Sequence, residues 1–220
     1  MVKLSIPLEL RRGDLRHDEE ASLWSAFEII KLIERFKPIA ESRWLDFGCG
    51  VKMAQALYER DNPQDIYVGL DVFETQIEHL KERLASEPKF AFATVPFQNN
   101  MYNKHGEPMT SESLLPVPVQ ECDLLTMFSV VTHMEPHHTS AILKILRKYA
   151  APDARLVFSC FADENQEVPF YDEFPDKPLM HARYRKSALD DFIADAKWET
   201  VYYGEPIEKV IRSHYVCRPV

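Results

Sequence analysis

Trp44-Leu45-Asp46-Phe47-Gly48-Cys49-Gly50 is the stretch that decides the fold. A short apolar run carries an acid, and two glycines follow one residue apart. Ala54, Leu57 and Tyr58 then fall at spacings that share one helical face. The pattern is strand, tight turn, helix. Glycines in such a turn allow positive φ and let a ligand approach without a Cβ in the way. The free N–H groups of the following helix face the same space. This describes a nucleotide-type pocket at the carboxyl end of the first strand of an open α/β sheet. The dinucleotide fingerprint G-x-G-x-x-G is incomplete, because its third glycine position is Met53. Asp71 closes the next apolar run, Ile66-Tyr67-Val68-Gly69-Leu70, at about the 20-residue distance from which an acid reaches ribose hydroxyls.

The chain has 220 residues, 45% of them hydrophobic and 28% charged, which suits one α/β domain with a full core. A net charge of −9 and small, scattered basic clusters argue against nucleic acid as a partner. Cys49, Cys122, Cys160 and Cys217 have no metal-ligand spacing and read as reduced, buried thiols, so no metal is expected. The opening residues lack a signal-peptide core, and no apolar run approaches the roughly 20 residues that span a bilayer. A cytoplasmic protein without a membrane partner is the expectation.

Taken in order, residues 1–15 read as an extended arm or loose lead-in. Residues 18–36 carry a helical stripe of Leu23, Ala26, Phe27, Ile30, Leu32 and Ile33, with Trp24 beside it. Strands are expected at 43–47, 65–71, 89–95, 122–128 and 155–161, with helices at 51–60, 73–85 and 139–149 between them. Regularity lapses over 96–120, a length that inside a compact domain is usually functional or disordered. Ala151-Pro152-Asp153 reads as a turn. Residues 162–178, rich in acids and aromatics, read as a lid. A helix at 185–196 and strands at 197–203 and 210–217 close the chain, joined through Gly204-Glu205-Pro206.

At this point the sequence resembles a family. Leu45-Asp46-Phe47-Gly48-Cys49-Gly50 with Gly69-Leu70-Asp71 is similar to the first two motifs of class I S-adenosylmethionine (SAM) dependent methyltransferases. Asp123-Leu124-Leu125, Ser129-Val130-Val131-Thr132-His133-Met134 and Tyr102-Asn103-x-x-Gly106 resemble a small-molecule subgroup. The resemblance covers roughly residues 40–162. It implies a Rossmann-like, seven-stranded, mostly parallel sheet flanked by helices, in strand order 3-2-1-4-5-7-6 with the seventh antiparallel. It implies one domain over 1–220, with an N-terminal cap region at 1–38 and substrate or lid insertions at 96–120 and 162–186. It further implies SAM as cofactor, S-adenosylhomocysteine as product, and a small acceptor methylated at O or N, in a specialised biosynthetic pathway. A monomer or homodimer is expected.

The same resemblance assigns residues. Gly48, Cys49 and Gly50 would let the cofactor's methionine and ribose lie against the turn. Asp46 would face its amino end, and Asp71 its ribose hydroxyls. Val72 or Phe73 would pack on adenine, with Gln98 or Asn99 near the adenine amine. Phe128 and Ser129 would lie near the reactive methyl. Trp24, Tyr102, Asn103, His133 and Tyr171 would contact the acceptor. Lys52 stands where many relatives have glycine.

Alternatives remain open on the residues themselves. His133 suits a general base near neutrality and equally a structural role in the turn. Asn99 and Asn103 can be ligand contacts or ordinary turn chemistry. The lid's carboxylates and rings could favour a cationic acceptor or serve as a solvated cover. A His133, His137, His138 metal cluster with Glu135 nearby is conceivable, though no second ligand cluster is evident. Rival functions are a non-catalytic SAM-like-ligand binder and an NAD-dependent oxidoreductase. The absent glycine at Met53 speaks against the latter.

Overall fold

A computed structural model describes residues 2–13, 15–117, 121–204 and 212–220. Its centre is β1 (Arg43–Phe47), whose last four residues are all buried. β1 pairs in parallel with β2 (Ile66–Asp71) on one side and β4 (Cys122–Met127) on the other. β3 (Phe90–Thr94) extends the sheet beyond β2, and β5 (Ala150–Asp163) extends it beyond β4, both in parallel. β9 (Ser213–Pro219) runs antiparallel to β5 and β8 (Trp198–Gly204) antiparallel to β9. The path β3-β2-β1-β4-β5-β9-β8 is the 3-2-1-4-5-7-6 order with its reversed seventh strand.

Period-two alternation divides the core. Trp44, Tyr67 and Leu124 face α1 (Glu19–Glu34), α2 (Lys52–Glu59) and α3 (Glu74–Arg83), whose Ile30, Leu57 and Ile77 lie in the same cluster. Leu45, Val68 and Leu125 face α4 (Pro136–Lys148) and α5 (Lys186–Asp195), meeting Ile142 and Leu189. Strands covered on both faces are near-continuously apolar, as these are.

Four local readings change. The first residues are a buried strap, which fits the extended arm and not the loose lead-in. Leu4 and Ile6 are 2% and 1% exposed. Their N–H groups donate to Glu59 on α2 (2.9 Å) and Glu19 on α1 (2.7 Å), and Gln76 on α3 donates to the Leu10 carbonyl (2.6 Å). Ala151-Pro152-Asp153 lies inside β5, which starts at Ala150 and takes a register shift opposite Cys122–Leu124. Residues 162–178 are not wholly loop: β6 (Phe170–Asp172) pairs antiparallel with β7 (Ala182–Arg185), and β7 pairs in parallel with Phe161–Asp163 of β5. The long β5 thus has two partners besides β4: β9 at Leu156–Cys160 and β7 at Phe161–Asp163. Finally, α4 begins three residues before the expected start at 139, because Pro136 is preorganised for a first helical turn. Glu205-Pro206 and residues 118–120, assigned above to a hairpin connection and an irregular loop, lie outside the described residues.

The strap's burial makes a test. Ile6→Ala is expected to cost about 2–4 kcal/mol, measured as a lowered urea midpoint with an unchanged slope. A loose lead-in would give no change.

Candidate active site

The turn after β1 has Gly48 at φ 73° and Gly50 at φ 51°. A Cβ on Gly48 would stand 2.3 Å from Val130 Cγ2, so glycine here lets the turn pack on the segment after β4. A Cβ on Gly50 would meet nothing within 4 Å, so Gly50 borders open space. The turn's own N–H groups are committed. Gly48 and Cys49 donate to the Leu70 carbonyl (2.7 and 3.0 Å), and Gly50 donates to Asp71 Oδ2 (2.8 Å). Asp71 Oδ1 accepts from Phe73 N (3.0 Å). Asp71 is buried, and burial raises its pKa despite the N–H groups of Phe73, Gly50 and Val72 that favour the charged form. The Cys49 thiol is buried, bonds the Gly50 carbonyl, and has its pKa raised by burial.

One layer below, Asp46 is 3% exposed and fully bonded. Tyr67 of β2 donates to Oδ2 and Thr126 of β4 to Oδ1, both at 2.6 Å. Trp44 Nε1 donates to the same threonine oxygen at 2.7 Å. Burial pushes the Asp46 carboxyl up to about 6 against the opposing pull of these two hydroxyls, with the charge of Asp71 adding to the rise.

A row of rings runs from the end of β2 towards the end of β4. The Arg12 guanidinium sits 4.4 Å from the Phe73 ring centre; Phe73 meets Tyr102 edge-on at 5.1 Å, and Tyr102 meets His133 at 5.5 Å. Val72 is partly buried beside Phe73. The loop that presents Tyr102 is knotted by its asparagines. Asn99 and Asn103 exchange backbone bonds, and Asn99 Oδ1 accepts from the N–H groups of Met101 and Tyr102. Asn99 Nδ2 donates to the His133 carbonyl (2.8 Å), and Asn103 Nδ2 to the carbonyls of Pro96 and Phe97. Gly106 is needed because a Cβ there would fall 2.5 Å from the Pro96 carbonyl and Asn103. Gln98 donates to Asn100 (2.8 Å), whose amide reaches Glu135. The polar atoms of Asn99 and Asn103 therefore fix the loop, and what they hold in place is Tyr102.

His133 lies in a one-turn helix, Val131–His133, after β4. Its Nδ1 is 2.9 Å from the Leu179 carbonyl. A carbonyl only accepts, so Nδ1 carries the proton and Nε2 is left as the lone-pair nitrogen of the neutral ring. Burial lowers its pKa, the Leu179 carbonyl opposes this, and the nearby Arg212 charge adds to the lowering. Leu179 has φ 59°, with its N–H bonded to Asp172 at 2.6 Å, which clamps the β6–β7 connection against His133.

Ser129, at φ 60°, ends β4 with its N–H on Ser159 Oγ and its hydroxyl accepting from Arg212. Phe128 beside it lies 6.3 Å from the His214 ring. Lys52 opens α2, and its ammonium donates to Ser25 Oγ of α1 at 3.1 Å. Trp24, the residue before, is 46% exposed. Tyr171 lines a separate cleft, open to solvent, with Phe161, Ala162, Asp163, Gln166 and Arg183, and with no residue of the glycine turn. Two of the lid's acids are partnered within it: Glu173 takes Arg183 and His181, and Asp172 takes the N–H groups of Phe174 and Leu179. Glu135, His137 and His138 bring donor atoms within 4.8 Å of one another at the start of α4, and His133 is not among them. Arg12, Ser25 and Arg212 escaped the sequence reading, because no periodicity or spacing ties any of them to the glycine turn.

The residues suit an adenosyl cofactor without phosphates. Open space lies in front of Gly50, a carboxylate stands at the end of β2, and a ring is packed beside it. The turn itself has no N–H left for a phosphate. A family model described as "Methyltransferase domain" matches residues 23–202. The chain belongs to that family and is a class I SAM-dependent methyltransferase. Among solved structures, magnesium protoporphyrin IX methyltransferase from Synechocystis PCC 6803 with bound SAM is similar at a TM-score of 0.61 and 13% identity. That match covers 96% of this chain and 86% of that one. The Burkholderia thailandensis 1,6-didemethyltoxoflavin-N1-methyltransferase, solved with its substrate and S-adenosylhomocysteine, gives 0.63 and 16%, covering 94% and 81%. The [4+2]-cyclase SpnF gives 0.61 and 15%, covering 81% and 60%. Likeness at such identities is likeness of fold.

Asp46 yields a stability test. Its folded pKa lies above the ordinary carboxylate value near 3.9. The stabilisation tied to its neutral form is therefore complete below about 3.9 and lost as pH rises through about 6. The shift corresponds to roughly 3 kcal/mol. Asp46→Asn, which keeps an acceptor and a donor, is expected to melt higher than wild type at pH 8. The gap should close between pH 6 and 4. Equal melting at pH 8 would contradict the buried-charge account.

Proposed function

We propose that this methyltransferase moves a methyl group from SAM to an oxygen or nitrogen of a small organic acceptor in a specialised biosynthetic pathway. We further propose that it works in the cytoplasm as a monomer or homodimer. The observation that carries the site assignment is the Asp71 carboxylate, held beside the open face of Gly50 at the end of β2. Its Oδ2 accepts from Gly50 and its Oδ1 from Phe73, and the carboxylate keeps acceptor capacity for a ribose hydroxyl. Phe73, backed by Arg12, offers a face or edge for adenine. Asp46, whose two oxygens accept from Tyr67 and Thr126, acts on the amino end through the turn it supports. The acidic chain and its small basic clusters support a small molecule over nucleic acid. Two structural neighbours named for small-molecule methyl acceptors support the same class. Among the described residues no helix is long and apolar enough to cross a membrane.

The cofactor supplies an electrophilic methyl group; the chain's residues position, exclude water and move a proton. Displacement in line needs the two reactants held at roughly 3–3.5 Å, and orientation alone can supply much of the rate. Ser129 and Phe128 at the end of β4, and Tyr102 on its knotted loop, form the walls that do this. Nε2 of His133 takes the proton that the acceptor's O–H or N–H gives up as the new bond to carbon forms.

Titration calorimetry with SAM and S-adenosylhomocysteine tests the pocket. Wild type should bind both, and Asp71→Ala should weaken both by about 10–100-fold, the range of hydrogen bonds to a charged group. A melting curve on the variant checks its fold. Absence of binding by wild type would overturn the site assignment.

The base makes a second test, in an assay of labelled SAM over an acceptor panel. Because the His133 pKa is lowered, its neutral form should persist through pH 7, and kcat/KM should fall only as pH drops below that pKa. His133→Gln should remove this acid limb and lower kcat/KM by about 10²–10⁴-fold. A retained limb would assign the proton to another group.

A further inference from the structure

The four cysteines have no ligand spacing, but a different donor set is built where α4 begins. Glu135, His137 and His138 each bring a donor atom within 4.8 Å of the other two. Donors bound to one ion at about 2.0–2.2 Å lie at most about 4.4 Å apart. Small side-chain rotations therefore complete the set, and His137 is exposed, so it can make them. The backbone explains the convergence. Glu135 is the N-cap, in extended conformation, and Pro136 fixes the first helical residue. His138 then stands three residues past Glu135, the spacing at which an N-cap side chain meets the first turn. The His137 and His138 rings pack with their centres 4.0 Å apart.

Two of the three groups are little used by the fold itself. His138 is 4% exposed, yet neither of its ring nitrogens makes a hydrogen bond among the described residues. A neutral imidazole carries one donor and one acceptor, and a buried one ordinarily finds partners for them. Its close contact is instead the ring of His137. Glu135 holds the N-cap position, but its side chain caps no N–H of α4. Its Oε2 accepts one long bond, 3.3 Å, from Asn100 Nδ2. Its carboxylate lies beside the two imidazoles, and the three donors converge without bonding one another. The positive end of α4 opposes a cation at this place, and the charge of Glu135 offsets it.

We propose that Glu135, His137 and His138 bind a divalent transition metal of the zinc class. Two imidazoles and one carboxylate suit zinc, whereas magnesium and calcium take oxygen ligands. Three protein ligands leave a fourth position for water. Glu135 also accepts from Asn100, in the loop that presents Tyr102, so an ion on Glu135 ties that loop to the start of α4. The site stands independently of the methyl-transfer reading, and the ion has no assigned part in that reaction.

Calorimetric titration of the chelator-treated whole chain with zinc chloride tests the site, with magnesium chloride as the comparison. Wild type should bind zinc here and show no comparable affinity for magnesium. His137→Gln and Glu135→Gln should each weaken zinc binding by about tenfold or more. His105→Gln, at an exposed histidine outside the set, should leave it unchanged. Melting curves read the same site. At about a hundredfold excess of zinc over Kd, wild type should melt about 5 °C or more higher than without metal, and the two variants should gain less. His137 is exposed and Glu135 half-buried, so both variants should fold, and their zinc-free melting checks this. Zinc binding that both variants leave intact would put the ion elsewhere and overturn the site. So would no zinc binding by wild type, equal affinity for magnesium, or a loss in His105→Gln as large as in His137→Gln.

Discussion

The buried carboxylate of Asp46 is the constraint on which the site depends. It is bonded from β2 by Tyr67 and from β4 by Thr126, so the three central strands are locked in register just where the chain leaves β1. A buried carboxylate is tolerable only when its lone pairs are satisfied. Here the two hydroxyls do so while also fixing strand positions. The glycine turn is then hung from the next strand by the Leu70 carbonyl and Asp71. Rigid strands below and a self-bonded turn above leave little freedom in where Gly50 faces. Carboxylates thus sit near the ends of β1 and β2.

The central part of this fold was legible because burial on both faces leaves apolar runs, and β1, β2 and β4 are such runs. The strand order came from resemblance, not from spacing. β6 and β7 were hidden: three and four residues are too few for alternation to register, and Tyr184 is buried by bonds to Met134 and Thr139 from another element. The strap was hidden for a related reason. Leu4 and Ile6 are two apolar residues in a mixed segment, and what buries them are acceptors on helices more than ten residues away.

The site was legible in its backbone and less so in its side chains. The two glycines and the two acids were visible as a set. What each acid bonds to was not, since Thr126 is 80 residues from Asp46. Asn99 and Asn103 show how a polar residue near a pocket can be committed to shaping the loop while a neighbour, Tyr102, faces the space. Charge is the least legible feature. The lid is acidic by composition, yet Glu173 and Asp172 are neutralised or bonded within it.

The self-bonded turn bears on selectivity in a crowded cell. ATP and the nicotinamide dinucleotides carry the same adenosine as SAM and compete for any pocket that reads adenine and ribose alone. A phosphate brought to this turn would lose its hydration and find the N–H groups of Gly48, Cys49 and Gly50 already engaged. It would also approach the Asp71 carboxylate. The same hydrogen bonds that hold the turn in shape thereby withhold its N–H groups, so the turn itself adds no affinity for the phosphates of abundant adenine nucleotides.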